Sequence, residues 1–264
     1  MRRDLTWHSQ TTIPLSVSCY ESGRAQGCLI WLQSWDQPDN PVFVSHVCEY
    51  LAAACLDVIV VRPAYEIWLE AHADVYTYTQ ELQAYRSLIH ACACGHLSAT
   101  QPASLGLMGI GMGGTMSLLA AWHEPQVQAV VTWGAMPRLD RYDADVIADR
   151  HPYKSLTPPR LPMQTGLMLR EDITAHGHST LSVREAIRQL RRPLLLLHGT
   201  ADTEVPLHEV ELLHIFGDPD QTHLRLIPHG DQTWGCTCPF ITPPPTQLSL
   251  ALSFTRDFFE ASLM

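Results

Sequence analysis

The sequence predicts an α/β fold, a mostly parallel twisted sheet with helices on both faces. Three observations carry that expectation. Short apolar runs of strand length recur along the 264 residues, and the intervals between several of them carry the spacing of amphipathic helices. In addition, the segment SLGLMGIGMGGTMSLLAAW, starting at Ser104, passes from strand to helix through a glycine-rich turn. Continuous apolar runs suit strands buried on both sides, which is what crossover helices impose on a parallel sheet.

In chain order, residues 13–21 (IPLSVSCYE) alternate in polarity and suit an edge hairpin with residues 5–9. The runs at 27–33 (GCLIWLQ), 57–62 (DVIVVR), 104–110, 128–134 (QAVVTWG), 193–198 (PLLLLH) and 222–228 (THLRLIP) are expected core strands. Helical spacing falls at 42–55, 74–93, 113–123, 206–215 and 247–261, so strands and helices alternate. One interval breaks the rhythm. From Pro137 to about Arg191 the chain is polar and proline-containing, and too long for an ordinary connection. It reads as a cap of short helices over the mouth of a site, returning to the core through a helix at about Ser182–Arg191. The prolines at 243–245 read as the turn before the last helix. The expectation is a single domain, 1–264, with 137–191 as a cap or lid insertion within it.

Composition narrows the function. With 46% hydrophobic and 17% charged residues the chain can bury a sizeable core. A formal charge of −10 and the lack of a Lys/Arg cluster argue against nucleic acid as a partner. The densest basic group, Arg188, Arg191 and Arg192, reads as the solvated end of a helix, where cations complement the dipole. MRRDLTWHSQ has no apolar stretch behind its arginines, so it does not read as a secretory signal, and no run approaches the ~18 apolar residues of a membrane span. Cysteines sit mostly in apolar segments: Cys28 in a strand, Cys48 and Cys55 in a helix, Cys92 and Cys94 in another. Buried thiols in a reducing cytoplasm are the simplest account. Cys236 and Cys238 form a lone C-x-C, and His176 and His178 (AHGH) lack an evident third ligand, so a solvated loop outweighs a metal site at both. No metal and no cofactor is expected.

The glycine-rich turn carries the chemistry. A strand, G-x-S-x-G and a helix together form a nucleophile elbow, whose strained turn presents a serine hydroxyl above the sheet. Here the pattern is Gly109-x-Gly111-x-Gly113. The outer glycines are present and the central serine is missing.

With these motifs the chain resembles the α/β-hydrolase superfamily, and more closely its small bacterial esterase- or peptidase-like serine hydrolases. The resemblance runs from residue 27 to the end. It rests on GIGMGG with AVVTWGAM, QTGLMLREDI in the insertion, LSVREAIRQLRRPLLLLHGTADTEVP, and LIPHGDQTWG followed by a TRDFF helix. It implies a triad in the order Ser, Asp, His. Gly111 takes the nucleophile position, Asp202 in HGTADTEVP matches the acid, and Gln232 in LIPHGDQTW stands where the family motif has histidine. Glutamine cannot take a proton near neutral pH, so general-base catalysis fails there. Relatives carry His-Gly at the oxyanion loop, where this chain has Gln33-Ser34 followed by Trp35, and their His-Pro pair appears as Cys238-Pro239. The Met112 amide, at the start of the elbow helix, is the expected donor to a carbonyl or carboxylate oxygen in the pocket.

Three function classes follow. The first is an impaired hydrolase that keeps a capped pocket for a small acyl, ester or peptide-like ligand. Trp31, Trp35, Trp68, Trp133 and Trp234 could line such a pocket, although Trp near strand ends is more often core. The second is an active hydrolase rewired around His229 as base with Asp202, its nucleophile being Ser34, Cys236 or a water. The third is a scaffold or homodimerisation protein.

Overall fold

The structure is a computed structural model that describes residues 2–8, 13–34, 40–64, 76–97, 101–140, 163–236 and 242–264. Strands β1 (Arg2–Trp7), β2 (Leu15–Tyr20), β3 (Gly27–Leu32), β4 (Leu56–Pro63), β5 (Leu105–Ile110), β6 (Ala129–Trp133), β7 (Leu194–Gly199) and β8 (Thr222–Ile227) form one eight-stranded sheet. Its order is β1-β2-β4-β3-β5-β6-β7-β8. The β1–β2 and β2–β4 pairs are antiparallel and all others parallel. The described helices are α1 (Pro41–Ala52), α2 (Tyr78–Ala93), α3 (Met112–His123), α4 (Met163–His176), α5 (Val183–Gln189), α6 (Leu207–Phe216) and α7 (Thr246–Leu263). None of them is long and apolar enough to cross a membrane.

Both faces of the central strands are apolar, which is why the runs are continuous. Cys28, Ile30 and Leu32 of β3 pack with α2, α3, α5 and α6 on one side, and Leu29 and Trp31 pack with α1 and α7 on the other. The same division repeats at Leu194 and Leu196 against Leu195 and Leu197 of β7. Each expected core strand is found to within one residue at either end. The hairpin partner of β2 starts earlier than expected, at Arg2, because an edge strand needs only backbone pairing there. Leu5 and Trp7 alone reach the core.

Several tryptophans settle as packing. Trp31 and Trp133 are fully buried and Trp234 is 1% exposed; the Trp133 and Trp234 rings meet edge-on at 5.6 Å, and Trp133 Nε1 donates to Thr255 Oγ1 at 2.9 Å. Trp35 and Trp68 lie outside the described residues. Two smaller expectations are corrected. Arg192 is no solvated helix end: its guanidinium is half-buried and donates to the carbonyls of Glu124 (2.9 Å) and Val127, joining the α3–β6 turn to the start of β7. Cys55 lies past α1 with φ 61°, in a turn.

Of the insertion, residues 141–162 lie outside the described residues. Its described part is less fragmented than expected, since α4 alone runs for 14 residues. One carboxylate ties it to the body. Asp172 of α4 accepts from Thr79 N (2.8 Å) and Thr79 Oγ1 (2.7 Å) in the first turn of α2, where amides unpaired within the helix and the helix dipole favour an anion. That turn is closed independently by a capping box between Thr77 and Gln80.

Two tests follow. Replacing Asp172 by Ala should cost roughly 1.5–3 kcal/mol in denaturant unfolding, the range for hydrogen bonds to a charged group. Loss of far less would mean that α4 is held chiefly by apolar contacts. His198 of β7 is fully buried, neither ring nitrogen has a well-formed hydrogen bond among the described residues, and burial lowers its pKa by more than a weak contact with the Val205 backbone and the charge of Glu209 raise it. The unfolded chain therefore takes up this proton first as pH falls below the ordinary imidazole value of about 6.5, and stability should drop through that range. His198→Leu should flatten the acid side of the stability–pH curve, and an unchanged curve would assign the loss to other groups.

Candidate functional site

β3, β5, β6, β7 and β8 run parallel, so the segments leaving their carboxyl ends gather at one edge of the sheet. The turn after β5 is an elbow. Gly111 has φ 53° and ψ −123°, its amide donates to Trp133 O at 2.8 Å, and its carbonyl accepts from Thr115 N at 3.1 Å as α3 begins. In an L-residue with a side chain this conformation costs on the order of 1–3 kcal/mol, which glycine avoids. The outer glycines serve a different need. A β-carbon on Gly109 would stand 2.2 Å from Gly113 O, and one on Gly113 would stand 2.3 Å from Leu32 O. Any side chain at either position would lift α3 off the ends of β3 and β5.

Asp202 follows β7 and is 9% exposed. Its Oδ1 accepts from the amides of Glu204 (2.8 Å) and Val205 (2.9 Å), and Oδ2 lies 3.3 Å from where a β-carbon on Gly134 would stand. Gly134 directly follows Trp133, the residue that holds the Gly111 amide. The loop after β8 is laced to the Asp202 loop: Ala201 N donates to Gly230 O (2.9 Å), Thr200 N to Ile227 O (3.0 Å), and His229 N to Thr200 Oγ1 (2.9 Å). Beyond it, Asp231 Oδ1 accepts from Thr233 N (2.9 Å), Thr233 Oγ1 (2.9 Å) and Gly235 N (2.8 Å), setting a compact turn whose Trp234 packs on Trp133. Gln232, half-buried, sits within this turn. The backbone positions of Gly111, Asp202 and Gln232 thus occupy one edge through directly bonded segments. His229 is exposed and left-handed, with φ 59°.

The remaining candidates divide. Gln33 leaves β3 with its amide on Val61 O (2.9 Å) and its carbonyl accepting from the Tyr85 hydroxyl (2.5 Å). Ser34 is 1% exposed and its hydroxyl has no hydrogen-bond partner among the described residues. Met112 is fully buried as the first residue of α3. Trp35, Cys238 and Pro239 lie outside the described residues. The Cys236 thiol has its pKa pushed up to about 12 by burial and by Asp231, the reverse of an activated nucleophile. His176 Nε2 stands 3.9 Å from Asp172 Oδ1, whereas His178 lines a cleft of about 690 Å³ with Leu139, Ile173, Leu181, Arg184 and Phe216. Sequence reasoning missed Tyr85 and Glu81, which stand behind Gln33. Their one signal was a Glu four residues before a Tyr on the buried face of α2.

No known family model matches the chain. A stretch of 135 residues is 29% identical to the 2,6-dihydropseudooxynicotine hydrolase of Paenarthrobacter nicotinovorans, covering 51% of this chain and 34% of that protein. The chain thus matches about a third of that relative's length. Likeness to solved structures is broader. The esterase domain of a Rhodothermus marinus protein superposes over 100% of both chains with TM-score 0.68 at 15% identity. Est1E of Butyrivibrio proteoclasticus, solved with ferulic acid, covers 98% of each chain at TM-score 0.68 and 13% identity, and the dienelactone hydrolase of Anabaena variabilis 99% of each at 0.62 and 18%. Together with the strand order and the elbow after β5, these likenesses identify the chain as a protein of the α/β-hydrolase fold.

Proposed function

We propose that the chain is a catalytically impaired relative of the serine esterases and hydrolases that retains a capped pocket for a small acyl, ester or peptide-like ligand. The observation that carries this is the elbow: its backbone is kept, with Gly111 at φ 53° where a nucleophile would stand, and no side chain is there to attack. Gln232 gives the second support, because a carboxamide cannot serve as general base. Asp202 is the remaining acid of the triad. Ser34 is the ligand-binding donor in this scheme, since a buried hydroxyl without a partner is a cost that an acceptor oxygen on a ligand would remove. In this scheme the insertion serves as the cap through its described helices α4 and α5, within a single domain.

In turnover of short-chain nitrophenyl esters the wild type should stay near background, and fluorophosphonate probes should leave it unlabelled. Stoichiometric labelling of any serine, Ser34 first, would replace this proposal with a rewired hydrolase in which His229 and Asp202 take part.

Repair tests the same site from the other side. Gly111→Ser alone supplies a hydroxyl without a base, so its gain should be small, because triad members act as a unit. Gly111→Ser with Gln232→His should give weak but measurable esterase activity, held down by an oxyanion loop worth about 10²–10³ in rate when well formed. Both variants should lose roughly 1–3 kcal/mol of stability to renewed strain at position 111. Equal inactivity of the folded single and double variants would show that the pocket has been remodelled beyond the triad.

A further inference from the structure

The two edges of the sheet differ in kind. The outer strand β1 carries Arg2, Arg3 and Asp4, charges of the sort that keep an edge from pairing. At the other end β8 (THLRLI) carries Arg225 among Leu224, Leu226 and Ile227, and among the described residues no strand pairs with its outer side.

The hydrogen bonds to β7 fix which groups of β8 face out. Leu194 N donates to Gln221 O (2.8 Å) at one end of the pair and Thr200 N to Ile227 O (3.0 Å) at the other. Backbone groups alternate sides along a strand, so residues 221, 223, 225 and 227 turn theirs toward β7, and Thr222, Leu224 and Leu226 turn theirs outward. The Thr222 amide is taken by Asp218 O at 2.7 Å, and Leu224 O accepts weakly from the Arg225 guanidinium at 3.4 Å. The amides of Leu224 and Leu226 thus stand at the free edge.

The flanks of this edge are partly apolar. Leu224 packs on the α6 side of the sheet and Leu226, on the same side, is 40% exposed. On the other side Ile227 joins the core under α7, and the His223 ring meets Phe258 edge-on. In α6, Val210 and Leu213 are buried, while Glu209, Leu212 and Phe216 line the cleft toward α5. Helical spacing therefore turns Glu211 and Ile215 the opposite way, over the outer side of β8. Ile215 is 72% exposed.

We propose that this edge is occupied by a second copy of the chain, whose β8 pairs antiparallel with this one about a twofold axis normal to the sheet, with Leu224 at the axis. A partner must offer a free strand and an apolar helix flank side by side, and a twofold supplies both from one surface. The spacing agrees. α6 packs on both β7 and β8, so its axis lies about one strand spacing, ~4.8 Å, from a twofold just outside β8. Two copies of α6 then run ~10 Å apart, the separation of packed helices, and close over Ile215 and Leu226.

Charge selects the register. Directly opposite residues share a face of the sheet, so even positions pair with even and odd with odd. A centre at Leu224 opposes residues 222–226 of the two copies, and a centre at Arg225 opposes residues 223–227. Both give partners to the Leu224 and Leu226 amides. The second sets the two arginines directly against each other, whereas the first sets Arg225 against the His223 imidazole and Leu224 against its own copy. β8 runs on into the loop of His229 and Gln232, and α6 leaves the Asp202 loop, so the interface borders the candidate site without depending on what the elbow does.

Sedimentation equilibrium of the full chain should show a dimer at micromolar concentration. Ile215→Glu, at an exposed position, should weaken it by roughly tenfold or more. Residue-resolved hydrogen exchange reads the edge in the unmutated protein: the Leu224 and Leu226 amides should exchange roughly tenfold more slowly in concentrated than in dilute solution. Cysteines read the register. His223→Cys together with Arg225→Cys should join two chains through these positions under diamide, because they form a non-hydrogen-bonded pair with Cα atoms ~4.5 Å apart, and Arg225→Cys alone should not. A monomer at ~100 µM, or β8 amides that exchange fast at every concentration, overturns the proposal. Slow exchange at every concentration in a monomer places another part of the same chain on the edge and overturns it as well. A dimer untouched by Ile215→Glu, with unprotected β8 amides, lies on another face. Linkage through Arg225→Cys alone overturns the register. Where a variant does not fold, exchange in the unmutated protein decides.

Discussion

The rest of the structure depends on how closely α3 approaches the sheet. With 2.3 Å between Leu32 O and the place of a β-carbon on Gly113, the helix start is seated directly on the ends of β3 and β5. That contact fixes three things at once. It sets the conformation of Gly111, it brings the first turn of α3 beside Gln33, and it leaves Thr115 to bridge to Met136, whose amide donates to its hydroxyl at 3.0 Å. The start of the insertion is therefore anchored to the same helix turn that forms the elbow.

The core strands were legible in the sequence because they are buried on both sides. A run such as PLLLLH can hide every side chain only in a sheet covered twice, and β7 does so from Leu194 to Gly199. The β1 edge was less legible: Arg2, Arg3 and Asp4 are strand only because β2 offers a ladder, and nothing in their polarity signals it. Arg192 misled for a related reason. Local pattern places a cation at a helix end, but the carbonyls of Glu124 and Val127 that receive it are more than 60 residues away in sequence.

Within the site, the positions read from motifs were those whose backbone does the work. Gly109 and Gly113 declare themselves because no side chain fits, Gly111 because it stands between them at the turn, and the Asp202 loop because its carboxylate caps its own turn. Tyr85 was invisible, and Glu81 behind it, since Tyr85 donates to the carbonyl of Gln33 across 52 residues, and a carbonyl has no letter in a sequence. Ser34 could be named, but its lack of a partner emerges only once its surroundings are packed.

The two hydrogen bonds that Asp202 Oδ1 accepts from Glu204 and Val205 give that residue a use in folding. A buried carboxylate without partners would be a liability, whereas this one closes the turn between β7 and α6. Folding alone is therefore reason enough to keep an aspartate at this place. The letter D after the seventh strand of such a sheet is for that reason not by itself a sign of activity, because the turn would call for it whether or not any chemistry took place nearby.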